Sequence, residues 1–213
     1  MQRFTRRSWL TVLAVLTVLT IGTATAPSAV AAATNPPLTK GQRIGAAIAL
    51  RNQGATPQQI ERMLNNPQLR NVLPTKVTRT VAPVQAARVV PQPGCRSQAS
   101  HLNHYNRWGT LIYQFTVNKY WCWDGFRVTH TPDAGISHWI NFNFRLAVWF
   151  HGVGERKNHH IAPGNGGFLG HHSAAEGNFG YCVAKYGCLM HVSVTALVTG
   201  WETGRADTNA WYN

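Results

Sequence analysis

Over the second half of the chain apolar and polar residues alternate with a period of two, and this pattern most constrains the fold. Leu111, Tyr113, Phe115 and Val117 alternate with Ile112, Gln114, Thr116 and Asn118. The longest run places Ile140, Phe142, Phe144, Leu146, Val148 and Phe150 between Asn141, Asn143, Arg145 and their like. Near the end, Met190, Val192, Val194, Ala196 and Val198 alternate with His191, Ser193 and Thr195. Successive strand residues point to opposite faces, so such runs predict half-buried strands. Residues 126–131 and 178–185 are shorter candidates. Turn chemistry separates the runs at Asp124-Gly125, at Pro132 to Gly135 and at Pro163 to Gly167. The fold class expected is mainly β: a disulfide-bonded antiparallel β-sandwich, or barrel, preceded by a short helical segment.

Ahead of the strands the chain reads as three pieces. Residues 1–32 have the layout of a secretory signal peptide. Arg3, Arg6 and Arg7 precede an apolar run from Trp9 to about Gly22, and small residues follow with A-x-A sites ending at Ala26 and Ala31. The apolar run is shorter than the roughly 20 residues of a membrane span. No later stretch is apolar and long enough, so no transmembrane span is expected after signal removal. Thr5-Arg6-Arg7-Ser8-Trp9-Leu10 resembles a twin-arginine export signal, which leaves two export routes open.

Residues 34–74 read as short helices. Thr56-Pro57-Gln58-Gln59 makes a capping box, and Ile60, Met63 and Leu64 give one apolar stripe. Residues 75–94, with Pro83, Pro91 and Pro93, read as a basic linker, and residues 95–213 as the β-sandwich domain. Charge divides along the same line. Residues 34–94 carry eight basic side chains against the single acid Glu61, while residues 95–213 carry nine against six. A basic segment on an exported chain points to an anionic surface, such as wall polymers or lipid head groups. The partners expected are an anionic cell-wall polymer, a glycan or another secreted protein, and no nucleic acid. The expected location is secreted: extracellular or cell-wall associated.

The four cysteines, Cys95, Cys122, Cys182 and Cys188, all fall in the β region. In an exported chain they predict two disulfides. None has zinc-knuckle spacing, which argues against a thiolate zinc site. Long closed loops constrain the unfolded chain most and favour Cys122–Cys182 with Cys95–Cys188. Short hairpin closure, Cys182–Cys188 with Cys95–Cys122, is the rival pairing.

Trp121-Cys122-Trp123-Asp124-Gly125 is followed by Val128-Thr129, and Glu176-Gly177-Asn178-Phe179-Gly180-Tyr181-Cys182 by Tyr186-Gly187-Cys188. Together these stretches resemble a group of small secreted actinobacterial proteins, over residues 95–204. The resemblance implies a disulfide-bonded β domain and brings no activity or catalytic residue with it. The histidine-rich stretches depart from that group.

Among chemistry-bearing residues, His151, His159, His160, His171 and His172 crowd one region. Imidazoles are common transition-metal ligands. His159-His160 and His171-His172 are adjacent pairs, however, and strand neighbours point to opposite faces, so one ion is not served by both. We therefore expect no metal and no cofactor, with these five as the candidates should one exist. Trp139 and Trp149 fall opposite the Ile140–Phe150 stripe. Beside Asn141, Asn143 and Arg145 they could stack on sugar rings. The carboxylates Asp124, Asp133, Glu155, Glu176, Glu202 and Asp207 show no paired spacing, and no nucleophile elbow is present. We read a non-catalytic extracellular binding or surface-associated module. The alternatives are a secreted hydrolase using the histidine and carboxylate loops, or an inhibitor of other secreted proteins.

Overall fold

The structure, a computed structural model, describes residues 36–80, 92–164, 167–183 and 187–213. The expected signal peptide lies outside the described residues. Two helices open the described chain, α1 (Lys40–Asn52) and α2 (Pro57–Asn65). Each starts on a threonine whose hydroxyl accepts a backbone N–H three residues on. Gln42 and Gln59 return the bond to the backbone of Thr39 and Thr56 at 3.0 and 2.9 Å. These reciprocal caps satisfy donors that a helix start leaves unpaired.

Nine strands follow among the described residues: β1 (Pro74–Thr80), β2 (Gly94–Asn106), β3 (Leu111–Trp123), β4 (Val128–His130), β5 (Gly135–Ile140), β6 (Val148–Gly164), β7 (Gly167–Val183), β8 (Gly187–Trp201) and β9 (Ala206–Tyr212). They form one antiparallel sheet in the order β1-β2-β3-β4-β7-β8-β9, with β5 added to β3 and β6 to β7. The two halves meet through the short β4, where Val128 pairs with Phe168. The sheet curls into a half-barrel, so that β9 returns to β2 and Ser100 Oγ donates to the Asn209 carbonyl at 2.7 Å.

The alternation of β3, β7 and β8 sets the core. Tyr113, Phe115 and Val117 from β3 meet Phe179 and Tyr181 from β7 and Val192, Val194 and Val198 from β8, all at most 1% exposed. The helical segment supplies Ala46, Leu50, Met63, Leu69 and Leu73 to the same core. Asn35–Asn213 is one compact unit. The boundary expected at residue 95 therefore falls inside a single packed body. The apolar stripe of α2, Ile60, Met63 and Leu64, is too small to form a core alone and finds one by docking on the sheet. The first part of the expected linker is strand β1, paired with β2 from Pro74↔Asn106 to Thr80↔His101.

Two further expectations are corrected. The 140–150 run is not one strand. β5 ends at Ile140, a 3₁₀ turn occupies Phe142–Phe144, and β6 begins at Val148. Asn141 redirects the chain: its backbone N–H donates to Ile112 O and its Oδ1 accepts from Asn143 N at 3.1 Å. Such local side-chain bonds compete with strand pairing. As a result Phe142 and Leu146 are exposed, 78% and 84%.

The disulfides are Cys95–Cys122 and Cys182–Cys188, not the long-loop pairing. Loop entropy concerns the unfolded chain, whereas strand register decides which sulfurs can meet. Cys95 lies opposite Cys122 in the β2–β3 ladder and Cys182 opposite Cys188 in the β7–β8 ladder. Among the described residues no helix is long and apolar enough to cross a membrane.

Candidate functional site

Four surface regions gather chemistry-bearing side chains. The first is an aromatic hollow of about 490 Å³ where the end of β5 meets the start of β6. Trp139 and Trp149, each 45% exposed, line it with Arg145, His138 and Phe150. The His138 ring stacks on Phe150 with centroids 3.7 Å apart, and burial pulls its pKa below the usual histidine value. Of the five residues expected to bind ligand, Trp139, Arg145 and Trp149 come together here. Asn141 and Asn143 do not. Asn141 holds the turn, donating to Leu111 O at 3.2 Å, and Asn143 lines a neighbouring hollow with Phe144 and Leu146. The turn that breaks the expected strand is what gathers the two tryptophans and Arg145 round one hollow.

The second region is the histidine-bearing hairpin of β6 and β7. Strand neighbours do point to opposite faces, but the hairpin pairs histidines across strands. His159 lies opposite His172 and His160 opposite His171. The ring centroids are 4.7 Å apart in the first pair and 4.8 Å in the second. On one face His172 Nδ1 shares a 3.1 Å bond with Thr199 Oγ1. On the other, His160 stacks on Phe168 at 3.8 Å and His171 is buried. Burial, then the nearby Lys119, pushes the His171 pKa down to about 4. Lys119, buried against the Pro132 carbonyl that its Nζ bonds at 2.5 Å, is itself pushed down to about 8, with Asp133 opposing the shift.

At the opposite end of β7, His151 meets His191. Their rings are 4.9 Å apart and near perpendicular, and His151 Nε2 lies 3.5 Å from Cys188 Sγ. His191 was not among the sequence candidates. Its signal is its place on the polar face of β8, opposite Gly180 of β7, which becomes visible only once the β7–β8 register is known.

The fourth region is a hollow of about 420 Å³ lined by Glu155, Lys157, His172, Glu176, Trp211 and Asn213 among others. It brings two carboxylates and an imidazole together, which the sequence spacing did not show. Both carboxylates are engaged. Glu155 pairs with Lys157 at 3.1 Å, and Glu176 Oε2 accepts from Asn213 Nδ2 at 2.6 Å. Compared with known proteins, the chain matches no family model, no curated protein and no solved structure.

Proposed function

We propose that this is an exported, non-catalytic binding module that holds a sugar ring of a cell-surface glycan between Trp139 and Trp149, with Arg145 favouring anionic sugars. One observation carries this reading. Two half-exposed indoles from different strands face a single open hollow beside a guanidinium. Aromatic faces left in water are a cost unless something covers them, and an indole face suits the apolar C–H face of a sugar. The hollow has the volume of a small-ligand site. The basic helices add weaker contacts to anionic polymer: Lys40, Arg51 and Arg62 are exposed. Export rests on the N-terminal sequence, and two disulfides together with the absence of a membrane-crossing helix among the described residues are compatible with it.

The hydrolase alternative has the Glu155–Glu176–His172 hollow in its favour. Its carboxylates are already engaged by Lys157 and Asn213, which leaves the aromatic hollow the stronger site.

Calorimetric titration with acidic and neutral wall oligosaccharides tests the reading. Trp139→Ala with Trp149→Ala should weaken binding at least about tenfold, or about 1.4 kcal/mol. Arg145→Ala should remove the preference for acidic sugars and leave neutral ones little changed. Glycan binding that survives the double tryptophan substitution would reject this site.

A further inference from the structure

We propose that Cys182, Cys188, His151 and His191 form a transition-metal site that opens when the Cys182–Cys188 disulfide is reduced. Three features of the sheet converge on it. The β7–β8 register sets Cys182 opposite Cys188 and Gly180 opposite His191. The β6–β7 ladder shifts register between Phe150 and Gly152, so His151 is the extra residue of a β-bulge, a device that re-aims a side chain. Gly180 completes the niche. A side-chain carbon there would collide with His151 Nε2 and would lie 3.0 Å from Cys182 Sγ and 3.1 Å from Cys188 Sγ. Three donor atoms thus surround the small volume that this glycine leaves open.

The spacing suits a tetrahedral ion. Zinc–nitrogen bonds of about 2.0–2.1 Å and zinc–sulfur bonds of about 2.3 Å put bound nitrogen and sulfur about 3.5 Å apart. His151 Nε2 and Cys188 Sγ are 3.5 Å apart. The donor atoms of His151, Cys188 and His191 all lie within 4.8 Å of one another, so small side-chain rotations close the set. Two thiolates and two neutral imidazoles make a Cys₂His₂ site, neutral overall with a divalent ion.

In the disulfide form the sulfurs carry no charge and are poor ligands, because the thiolate is the species that binds metal. The site is then only the His151–His191 pair. The reductant is a dithiol. Its thiolate attacks Cys188 Sγ, which is partly exposed where Cys182 is 1% exposed. The S–S bond breaks as a mixed disulfide forms, and the second thiol of the reductant releases Cys188. The dithiol leaves as a disulfide, and Cys182 and Cys188 each hold a thiol. A divalent ion then displaces two protons as it binds both sulfurs.

Cobalt(II) is the probe, titrated into the full chain in its disulfide form and after reduction with a water-soluble phosphine. The reduced chain should bind one ion per chain, with thiolate-to-cobalt charge-transfer absorption and strong tetrahedral visible bands, and the disulfide form should show neither. His151→Ala and His191→Ala, both at exposed positions, should each weaken binding at least about tenfold. His159→Ala with His172→Ala should leave the signal unchanged. Zinc should protect Cys182 and Cys188 of the reduced chain, but not Cys95 and Cys122, from alkylation. No charge-transfer band on reduction, a band indifferent to both histidine substitutions, or protection spread equally over the four cysteines would each overturn the proposal.

Discussion

His104 shows how one residue is held where its chemistry is unwelcome. It lies on the inner face of β2, fully buried, with its ring stacked on Tyr113 at 4.5 Å. Its Nδ1 bonds the Tyr212 hydroxyl at 3.0 Å and its Nε2 the Tyr181 hydroxyl at 2.9 Å. A neutral imidazole offers one donor and one acceptor, so one tyrosine accepts and the other donates, and every polar atom of the ring is satisfied without charge. Burial holds the His104 pKa down to about 3. In the unfolded chain it takes a proton near pH 6.5. Between these values the unfolded chain binds the extra proton, so stability falls as pH falls, by roughly 5 kcal/mol over the full interval. His171, lowered to about 4, acts in the same direction. We expect the thermal midpoint to drop steadily from about pH 6.5 downward. His104→Phe should cost about 1–3 kcal/mol at neutral pH, since it removes the ring that both the Tyr181 and Tyr212 hydroxyls bond, while making the acid slope shallower. Thermal unfolding followed at closely spaced pH values checks both, and an unchanged slope in the variant would locate the acid sensitivity elsewhere.

At the scale of elements, the close approach of β3 to β7 depends on a residue with no side chain. A carbon added at Gly177 would lie 2.5 Å from the Phe115 ring, which is itself fully buried and set edge-on to Phe179 at 6.4 Å. The ring has nowhere to turn, so Gly177→Ala should destabilise by about 1–3 kcal/mol, read as a lowered denaturant midpoint at unchanged slope. The same element scale separates what was legible in the sequence from what was not. The cap at Thr56, the β3 alternation from Leu111 and the β8 alternation from Met190 are local signals, and they appear where local chemistry puts them. The 140–150 run misled because the Asn141 side chain offers the backbone a turn that hydrophobic alternation does not reveal. The disulfide pairing, the His159–His172 contact and the meeting of His151 with His191 all depend on register. Register is set by how strands far apart in the chain align, and one sequence read along its length does not contain it. The tryptophan pair was visible as a face. Arg145 was legible on the same face, and the turn that the alternation hid is what gathers all three round one hollow.

For the whole molecule, the central question is whether the helical segment and the sheet are one folding unit. Leu50 and Met63 are fully buried and share the core with Phe115 and Val194. Tyr212, near the end of the chain, bonds His104 of β2, and Asn106 of β2 donates to the Asn71 carbonyl of the helical segment at 3.0 Å. Without residues 36–73 the sheet would expose the apolar face that these helices cover, and burial of such surface is the main favourable term in folding. We therefore expect the chain from residue 36 onward to unfold in a single cooperative transition, by calorimetry and by circular dichroism alike. Leu50→Ala should cost about 2–5 kcal/mol. The loss should be global: amide protection in β8, whose Val194 and Val198 lie in that shared core, should fall as much as protection in α1. A fragment beginning at Gly94 should show a broad, weak transition even with both disulfides formed. If that fragment unfolds sharply, or if Leu50→Ala lowers protection in α1 alone, the helices are an appendage and the sheet carries its own stability.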